Sequence, residues 1–592
     1  MSDQTSDAEL STMEVFRRGG RLLARSLRVM PVPHTVAIIG AIVFSLAAVA
    51  LARVLGWVTD EVIVPGLDEG GVSDNRVWTG IALIGAVGVF RGAGAVVRRY
   101  YLARARFGTE VVWRRQLFEQ YLRLPLSFHQ SRPTGELLAH ADADITVASM
   151  MLMPFAFSVA TVVLVLISLV SLLLIHPLLS LVALILFPAL GLMNHYYTRK
   201  VHGPAALAQE RVGEVSSIAH ESFDGVLVVK ALGREDAEVA RLRTAANALR
   251  DQRIAVGRLR ALFEPAIDAL PNLGIVGLLA LGAWLVDRGS ITVGDLVGAM
   301  ALFSILALPM RIVGFFLEEI PRSVVALARV DSVLDVPTPP VTGGERTLAP
   351  GPVGVSFDGV QAGYDQAPVL HDVTFDVHAG EAVALVGATG TGKSTLAASL
   401  AALHPVIDGE VAIGGVPVAD LTTEERTSTL AMAFQETFLF ADSILENVVL
   451  SRGISEQDAT EALRLAGALE FVEQMPEGIH TVVGERGVTL SGGQRQRVAL
   501  ARALAGTPRV LFLDDATAAV DPVVEARILE NLRKELDLTL IIVAHRLSTI
   551  RLADRVVFLA DGRVAATGTP EELMAIPAYA ALAQAYEAEA GS

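Results

Sequence analysis

The chain has 592 residues, a formal net charge of −16 and no cysteine. Its length predicts several cores, at roughly 100–200 residues per domain, and its acidic balance argues against a nucleic-acid partner, because such binders usually carry a basic face. Hydrophobic residues make up 52% and charged residues 19%, with a mean hydropathy of +0.49, which argues against disorder and against an ordinary soluble enzyme. Without cysteine there are no disulfides, thiolate nucleophiles or iron–sulfur clusters.

Long apolar runs occupy the chain from about Val32 to Ile320. Residues 1–32 are predicted to contain a polar tail and an amphipathic interfacial helix at 12–28, the alternative being a frayed tail throughout. Residues 33–330 are predicted to form a membrane domain of six helices, each near the roughly 20 residues that a bilayer demands. The six spans start near Val36, Trp78, Met153, Leu178, Ala266 and Val293.

The charge distribution predicts the orientation of these spans. Arginines are concentrated before the first span and in the second loop between spans. The first loop has one arginine, Arg76, among acidic residues: Asp60, Glu61, Asp68, Glu69 and Asp74. The positive-inside rule therefore places the N-terminus, the second and fourth loops and the C-terminal domain in the cytoplasm of a multi-pass inner (plasma) membrane protein. Both long loops show helical periodicity without turn clusters, so we expect the spans to continue into the cytoplasm as long helices.

A Pro/Gly-rich linker is predicted at 331–349, followed by an α/β domain at 350–592. Its strongest signal is Gly387-Ala388-Thr389-Gly390-Thr391-Gly392-Lys393-Ser394-Thr395, which fits the phosphate-binding loop G-x-x-x-x-G-K-[ST]. The loop follows a strand-like apolar run and precedes a helical run, which is the context that this motif requires. Its backbone N–H groups and helix N-terminus suit phosphate, while Lys393 is predicted to reach the β- and γ-phosphates and Ser394 to bind Mg²⁺.

Two further motifs follow the phosphate-binding loop. Arg509–Asp514 is an apolar strand that ends in a carboxylate, which in such proteins supports the metal. Leu490-Ser491-Gly492-Gly493-Gln494 precedes a basic helical run. A glycine pair at a helix start is a second anion-binding geometry. The alternative is a plain helix cap with Ser491 as N-cap.

Together these motifs resemble those of ATP-binding-cassette (ABC) transporters of the exporter type (type IV fold), and in particular a bacterial half-transporter. Leu490–Gln494 matches the ABC signature, and the likeness extends from about residue 12 to 585. Segments near 120–140 and 215–235 resemble the two coupling loops of the family. The resemblance implies an α-helical membrane domain of six helices with long cytoplasmic extensions, fused to an α/β P-loop ATPase domain of the ABC type.

The resemblance also implies roles for individual residues. Tyr364 resembles the aromatic residue that stacks on adenine, Gln435 the Q-loop glutamine and His545 the switch histidine. The implied catalytic set is Asp515, Gln435 and His545. The implied Mg²⁺ ligands are Ser394, Gln435 and Asp514. ATP of the chain's own site is bound by the phosphate-binding loop, through Gly387, Thr389, Gly390, Thr391, Gly392, Lys393, Ser394 and Thr395. A second half-transporter supplies the other side of each site, and this chain offers its partner Ser491, Gly492, Gly493, Gln494 and the D-loop aspartate Asp521.

Asp515 departs from the family pattern. The family places a glutamate there, which positions and polarises the attacking water. An aspartate is one methylene shorter, and a retreat of about 1 Å can cost on the order of 10²-fold in rate. We therefore predict a site that binds MgATP well and hydrolyses it poorly. Because the signature is unbroken, we predict a heterodimer whose different partner carries the glutamate and an altered signature; a homodimer that tolerates aspartate is the alternative.

The predicted function is ATP-driven export of a hydrophobic or amphipathic small molecule by alternating access between two halves. Two alternatives stay open at this point. One is an importer built on the exporter fold, of the siderophore type, and the other is an ATP-gated or regulatory membrane protein.

Overall fold

The computed structural model describes residues 12–67, 72–338, 344–364, 367–484, 487 and 489–590. The chain forms two compact units: Met1–Leu122 with Gly135–Val336, and Arg123–Thr134 with Pro337–Ser592. The linker was predicted to begin at residue 331. The first unit instead continues to Val336, because its last helix ends only at Leu334. Part of the segment predicted as the first coupling loop belongs to the second unit.

The described residues of the N-terminal half form helices joined by short turns, with no strand among them. Short π-helical turns at Thr59–Ile63 and His140–Asp144 connect consecutive helices. The helices are α1 (Thr12–Val29), α2 (Pro31–Val58), α3 (Val64–Leu67), α4 (Asp74–Arg123), α5 (Leu126–Gln130), α6 (Thr134–Ala139), α7 (Ile145–Met150), α8 (Leu152–Ile175), α9 (Pro177–Asp224), α10 (Val226–Ala231), α11 (Glu235–Asp287) and α12 (Val293–Leu334).

Five helical segments in the described residues are long and apolar enough to cross a membrane. A shorter apolar stretch, Val293–Ile305, opens α12, where the sixth span was predicted. Helices α4, α9 and α11 have 50, 48 and 53 residues, or roughly 70–80 Å at 1.5 Å per residue. These lengths far exceed a hydrocarbon core of about 30 Å, which confirms the prediction of spans that continue as long helices.

Helix α1 is held to the first unit by its buried face. Leu22 is 1% exposed, and Arg25 Nη1 donates to Asp331 Oδ1 of α12 at 2.6 Å. The Ser26 hydroxyl lies 3.0 Å from the Thr109 hydroxyl of α4. An amphipathic helix with a buried apolar stripe and paired polar groups is therefore packed structure rather than a frayed tail.

Small residues allow α2 and α12 to approach each other closely. A Cβ atom on Gly294 would lie 2.1 Å from the Gly56 carbonyl oxygen. Beside this contact, Asp60 Oδ1 accepts from Gly294 N at 2.7 Å and Asp60 Oδ2 accepts from Thr292 Oγ1 at 2.6 Å. The carboxylate thus caps the N-terminus of α12, where negative charge complements the helix dipole, and glycine provides the room for close helix packing.

We expect Gly294→Ala to destabilise the first unit by about 1–3 kcal/mol, because the added methyl group overlaps a backbone oxygen that cannot move aside. Thermal unfolding of the purified full-length protein in detergent measures the effect. Gly88→Ala is the matched control, since a Cβ atom on this α4 glycine meets nothing within 4 Å. Equal behaviour of the two variants would contradict the close contact between α2 and α12.

The second unit is an α/β domain. Its strands are β1 (Val355–Tyr364), β2 (Ala367–Val377), β3 (Ala382–Val386), β4 (Asp408–Ile413), β5 (Val416–Pro417), β6 (Leu430–Ala433), β7 (Val510–Asp514), β8 (Thr539–Val543), β9 (Arg555–Ala560) and β10 (Arg563–Gly568). Its further helices are α13 (Lys393–Leu400), α14 (Thr423–Thr429), α15 (Ile444–Val449), α16 (Glu456–Leu465), α17 (Leu469–Glu473), α18 (Gly492–Leu504), α19 (Pro522–Glu535), α20 (Leu547–Ile550), α21 (Pro570–Leu573) and α22 (Pro577–Ala590).

The strands form an antiparallel sheet, β2-β1-β4-β5, and a larger sheet in the order β10-β9-β3-β8-β7-β6. In the larger sheet β3, β6, β7, β8 and β9 run parallel, and β10 is antiparallel to β9. Strands β3, β7 and β8 are buried at every position, as expected for apolar parallel strands covered on both faces. Their carboxyl ends meet at one edge, where sheets of this kind bind ligands.

Candidate functional site

The phosphate-binding loop lies between β3 and α13. Gly390 and Gly392 adopt left-handed φ values of 86° and 95°. A Cβ atom on Gly392 would lie 2.4 Å from Leu370 Cδ2, and one on Gly387 would lie 2.6 Å from the Leu559 carbonyl oxygen. The tight arc therefore requires glycine, and it ends at a helix N-terminus that suits an anion.

Lys393, in the first turn of α13, spans the loop. Its Nζ donates to the carbonyl oxygens of Gly387 at 2.7 Å and Ala388 at 2.9 Å. Burial lowers the pKa of Lys393, and the charges of Asp514 and Asp515 oppose that shift. An ammonium held by neutral carbonyls can exchange them for phosphate oxygens. The other predicted residues of the loop differ in exposure, since Thr389 and Ser394 are exposed whereas Thr395 is 5% exposed. The Thr391 hydroxyl donates to Ala388 O at 2.8 Å.

Two carboxylates follow one another at the end of β7. Burial raises the pKa of Asp514, against a hydrogen bond from Ser394 and the charges of Lys393 and His545. Burial also raises the pKa of Asp515; His545 opposes this shift and Asp514 adds to it. Asp515 adopts a left-handed φ of 50°, a conformation that costs a side-chain residue on the order of 1–3 kcal/mol.

Gln435 lies just after β6 and reaches the second carboxylate. Its Nε2 donates to Asp515 Oδ2 at 3.1 Å. In this orientation the amide nitrogen of Gln435 makes the hydrogen bond, and the amide oxygen remains as a ligand of the kind that a hard cation prefers. The structure thus gathers Lys393, Asp514, Asp515 and Gln435 at one edge of the sheet.

His545 follows β8 at the same edge. Its ring lies edge-on to the ring of Tyr586 in α22, with centroids 5.5 Å apart. The Tyr586 hydroxyl donates to Gly387 O at 3.2 Å. Tyr586 was not among the predicted site residues, although the spacing of Tyr579, Ala583 and Tyr586 places all three on one helix face.

A buried glutamate joins the segments that carry Asp515, Asp521 and His545. Glu525 of α19 is 4% exposed. Its Oε1 accepts from the hydroxyls of Thr517 at 2.8 Å and Thr549 at 2.9 Å, and its Oε2 accepts from Arg546 Nη1 at 2.6 Å. Arg546 also donates to the carbonyl oxygens of Val520 at 3.0 Å and Ala518 at 2.8 Å. This network, here called the Glu525 network, is a second feature that the sequence pattern did not indicate.

The signature residues open helix α18. Ser491 is the N-cap, and Gln494 completes a capping box with it, so the helix-cap interpretation of Ser491 describes the local geometry correctly. A Cβ atom on Gly493 would lie 2.6 Å from Ala519 O, and Gln496 Oε1 accepts from Ala519 N at 2.8 Å. The start of α18, with Gly492 and Gly493, is therefore packed on the segment that leads to Asp521.

Asp521 and Tyr364 lie at ends of elements. Asp521 is the N-cap of α19 and accepts from Val523 N at 2.9 Å. Tyr364 ends β1 and pairs with Ala367 of β2; its side chain lies outside the described residues. Among the residues that the structure describes, the side-chain hydrogen bonds of Ser491, Gln494 and Asp521 stay within the first turns of their own helices.

Removing the carboxylate of the Glu525 network tests its contribution to stability. We expect Glu525→Ala to cost about 3–5 kcal/mol, because the Arg546 guanidinium loses its partner within a buried network. Urea unfolding of the full-length protein, followed by a probe in the second unit, measures this cost. Glu530→Ala on the same helix is the matched control, because Glu530 pairs with Lys534 on the surface and should change little.

The raised pKa of Asp515 predicts a stability effect with a defined sign. A carboxyl whose pKa is higher in the folded state destabilises the fold when ionised, so the cost is present at neutral pH and is relieved as the pH falls through the raised pKa. Asp515→Asn removes the charge and tolerates the left-handed backbone. We expect a higher melting temperature without nucleotide at neutral pH and a smaller difference from wild type at acidic pH. A pH-independent difference would contradict a buried charge as its cause.

Comparisons with known proteins agree on both units. Residues 35–310 match the model of the ABC transporter transmembrane region, and residues 370–518 match the model of the ABC transporter family. Over 558 residues the chain is 32% identical to an ATP-dependent lipid A-core flippase of Chromohalobacter salexigens, which covers 93% of this chain and 94% of that protein.

A second relative is longer than this chain. The chain is 35% identical over 539 residues to a multidrug efflux ATP-binding/permease protein of Mycobacterium tuberculosis, which covers 89% of this chain but only 44% of that protein. The chain thus spans less than half of the length of that relative. Among solved structures, a bacterial Atm1-family ABC exporter with ATP bound matches with a TM-score of 0.75 and 28% identity, over 92% of this chain and 97% of the other.

Proposed function

This chain belongs to the ABC transporters, as a fused membrane and ATPase half of the exporter type, and we propose that it forms half of a dimeric pump that uses ATP to export a hydrophobic or amphipathic compound. The observation that carries the proposal is the gathering of Lys393, Asp514, Gln435 and His545 at one sheet edge, in a chain with apolar helices long enough to span a membrane. Relatives named for multidrug efflux and for lipid A-core flipping favour export.

The proposed nucleotide site divides binding among a few groups. The phosphate-binding loop and Lys393 bind the phosphates of ATP, and Tyr364 supports the adenine. The hydroxyl of Ser394, the carboxylate of Asp514 and the amide oxygen of Gln435 form an oxygen donor set that fits Mg²⁺. Bound Mg²⁺ neutralises charge on the β- and γ-phosphates.

In this proposal Asp515 and His545 serve hydrolysis. Asp515 accepts a hydrogen bond from the attacking water, whose oxygen bonds to the γ-phosphorus while the bond to the bridging oxygen breaks. Gln435 fixes the Asp515 carboxylate through its amide nitrogen, and His545 contributes a polar group from the end of β8. Because the aspartate reaches less far than a glutamate, hydrolysis should be slow. Nucleotide binding should remain good, because other groups carry it.

We further propose that the partner is a different half-transporter with a glutamate after its own strand-end aspartate and an altered signature. The supporting observation is Asp515 beside an unbroken Leu490–Gln494, since an intact signature is useful only if the nucleotide that it contacts is hydrolysed. Ser491–Gln494 and Asp521 of this chain would then complete the partner's site.

The tip of the α9–α11 pair supports a second half-transporter, whether identical or different. Phe223, near the end of α9, is 75% exposed, and Leu227, within α10, is 79% exposed. Exposed large apolar side chains at the end of two long helices fit a docking surface better than a solvated loop. We propose that this tip, in the second predicted coupling loop, docks on the ATPase domain of the partner in the cytoplasm.

The native mass of the complex from the membranes of its own host tests the partner directly. We expect this chain together with a different chain of similar size. A mass of two copies of this chain would overturn the heterodimer and leave Asp515 as the residue at two equal sites. Sequencing the partner then shows whether it carries the glutamate and the altered signature.

Lengthening the carboxylate tests the proposed limit on hydrolysis. We expect Asp515→Glu to raise the ATPase rate of this chain's own site by roughly ten- to a hundredfold, because the carboxylate regains its reach. Steady-state phosphate release from the purified complex measures the change when the partner's proposed glutamate is replaced by glutamine, so that the partner's own site stays silent in both preparations. Asp537→Glu, the same change at an exposed position of the same domain, should leave the rate unaltered. Unchanged turnover of Asp515→Glu with intact ATP binding would mean that carboxylate length does not limit this site.

A further inference from the structure

The C-terminal helix α22 contributes a side chain to the phosphate-binding loop. Its buried face consists of Tyr579, Ala583 and Tyr586, which pack in one apolar cluster with Val386 of β3 and Ala544 beside His545. At the end of this face the Tyr586 hydroxyl donates to Gly387 O at 3.2 Å. Tyr586 is only 8% exposed, so this hydroxyl lies among buried groups.

The Gly387 carbonyl has two donors in this structure. Lys393 Nζ donates to it at 2.7 Å, in addition to the Tyr586 hydroxyl. A carbonyl oxygen has two lone pairs, so both bonds are compatible. Gly387 itself is buried, and a buried carbonyl that loses its partners carries a free-energy penalty.

ATP binding would affect the two donors of the Gly387 carbonyl differently. In the proposed site Lys393 turns from the loop carbonyls to the phosphates, and Gly387 O then loses its charged donor. Tyr586 is fixed by its packing in α22 and by the edge-on contact with His545, so it stays in place.

We propose that Tyr586 is a positioning residue of the nucleotide site, whose hydroxyl satisfies the Gly387 carbonyl while Lys393 binds phosphate. This inference rests on the proposed function, in which the loop binds ATP. Tyr586 lowers the cost of releasing the lysine, so it strengthens nucleotide binding without touching the nucleotide.

Tyr586→Phe isolates the hydroxyl, because the phenyl ring can still pack against His545. In the nucleotide-free protein Gly387 O keeps Lys393 as donor, so the melting temperature should stay close to that of wild type. Affinity for the Mg²⁺ complex of adenylyl imidodiphosphate should fall roughly two- to tenfold, the effect of one net hydrogen bond. The melting-temperature increase that this nucleotide produces should shrink accordingly. Both quantities are measured on the full-length complex in detergent.

Tyr579→Phe is the matched control. Tyr579 lies on the same face of α22, is 1% exposed, and packs edge-on against Phe558 with centroids 5.6 Å apart. Its hydroxyl loss should leave nucleotide affinity unchanged. Tyr586→Leu removes ring and hydroxyl together and should weaken affinity at least as much as Tyr586→Phe.

Wild-type affinity in Tyr586→Phe would overturn the inference, and so would an equal loss of affinity in Tyr586→Phe and Tyr579→Phe. A lower melting temperature of nucleotide-free Tyr586→Phe with unchanged affinity would assign the hydroxyl to stability alone and likewise overturn it. A complex that binds nucleotide but neither hydrolyses ATP nor transports would overturn the proposed pump, while the comparison of the two phenylalanine variants would still decide the role of Tyr586.

Discussion

A single buried carboxylate, Glu525, connects the loops that carry Asp515 and His545 of the proposed nucleotide site. It accepts from Thr517, Thr549 and Arg546, and the guanidinium of Arg546 also holds two carbonyls before Asp521. An unpaired charge in such a place is costly, so these segments cannot move apart one at a time. Asp515, two residues before Thr517, and His545, next to Arg546, are therefore held in fixed relation.

The membrane unit solves a different problem with different residues. Helices in lipid already satisfy their own backbone groups, so the hydrophobic effect gives little reason for one helix to choose another. Specific packing there comes from close backbone approach, as at Gly56 and Gly294, and from polar caps at helix ends, as at Asp60. In the ATPase unit, by contrast, apolar parallel strands form the core and buried polar groups fix its loops.

Local pattern explains how much of this could be predicted from the sequence. The apolar run before Gly387 predicts a buried strand, and the glycines of the loop predict its turn, because both are set by neighbouring residues. The helical period of the long loops likewise predicts α4, α9 and α11. Glu525 and Tyr586 were not predicted, because their partners are distant in the chain. In the sequence they look like an ordinary surface glutamate and core tyrosine, and only the fold brings Thr549 to Glu525 and Gly387 to Tyr586.

In the proposed function, binding and hydrolysis are carried by separate groups, and that separation determines how the aspartate at 515 would affect a pump. There Lys393, Ser394 and Asp514 bind the nucleotide, and the free energy of that binding would shift the population toward a closed dimer. The shorter reach of Asp515 would act on the later chemical step. A chain with a shortened carboxylate would therefore still contribute to closure of the proposed dimer, which would reopen when its other site hydrolyses ATP. Slow hydrolysis at one site is thus compatible with transport, provided that the second site is not equally slow.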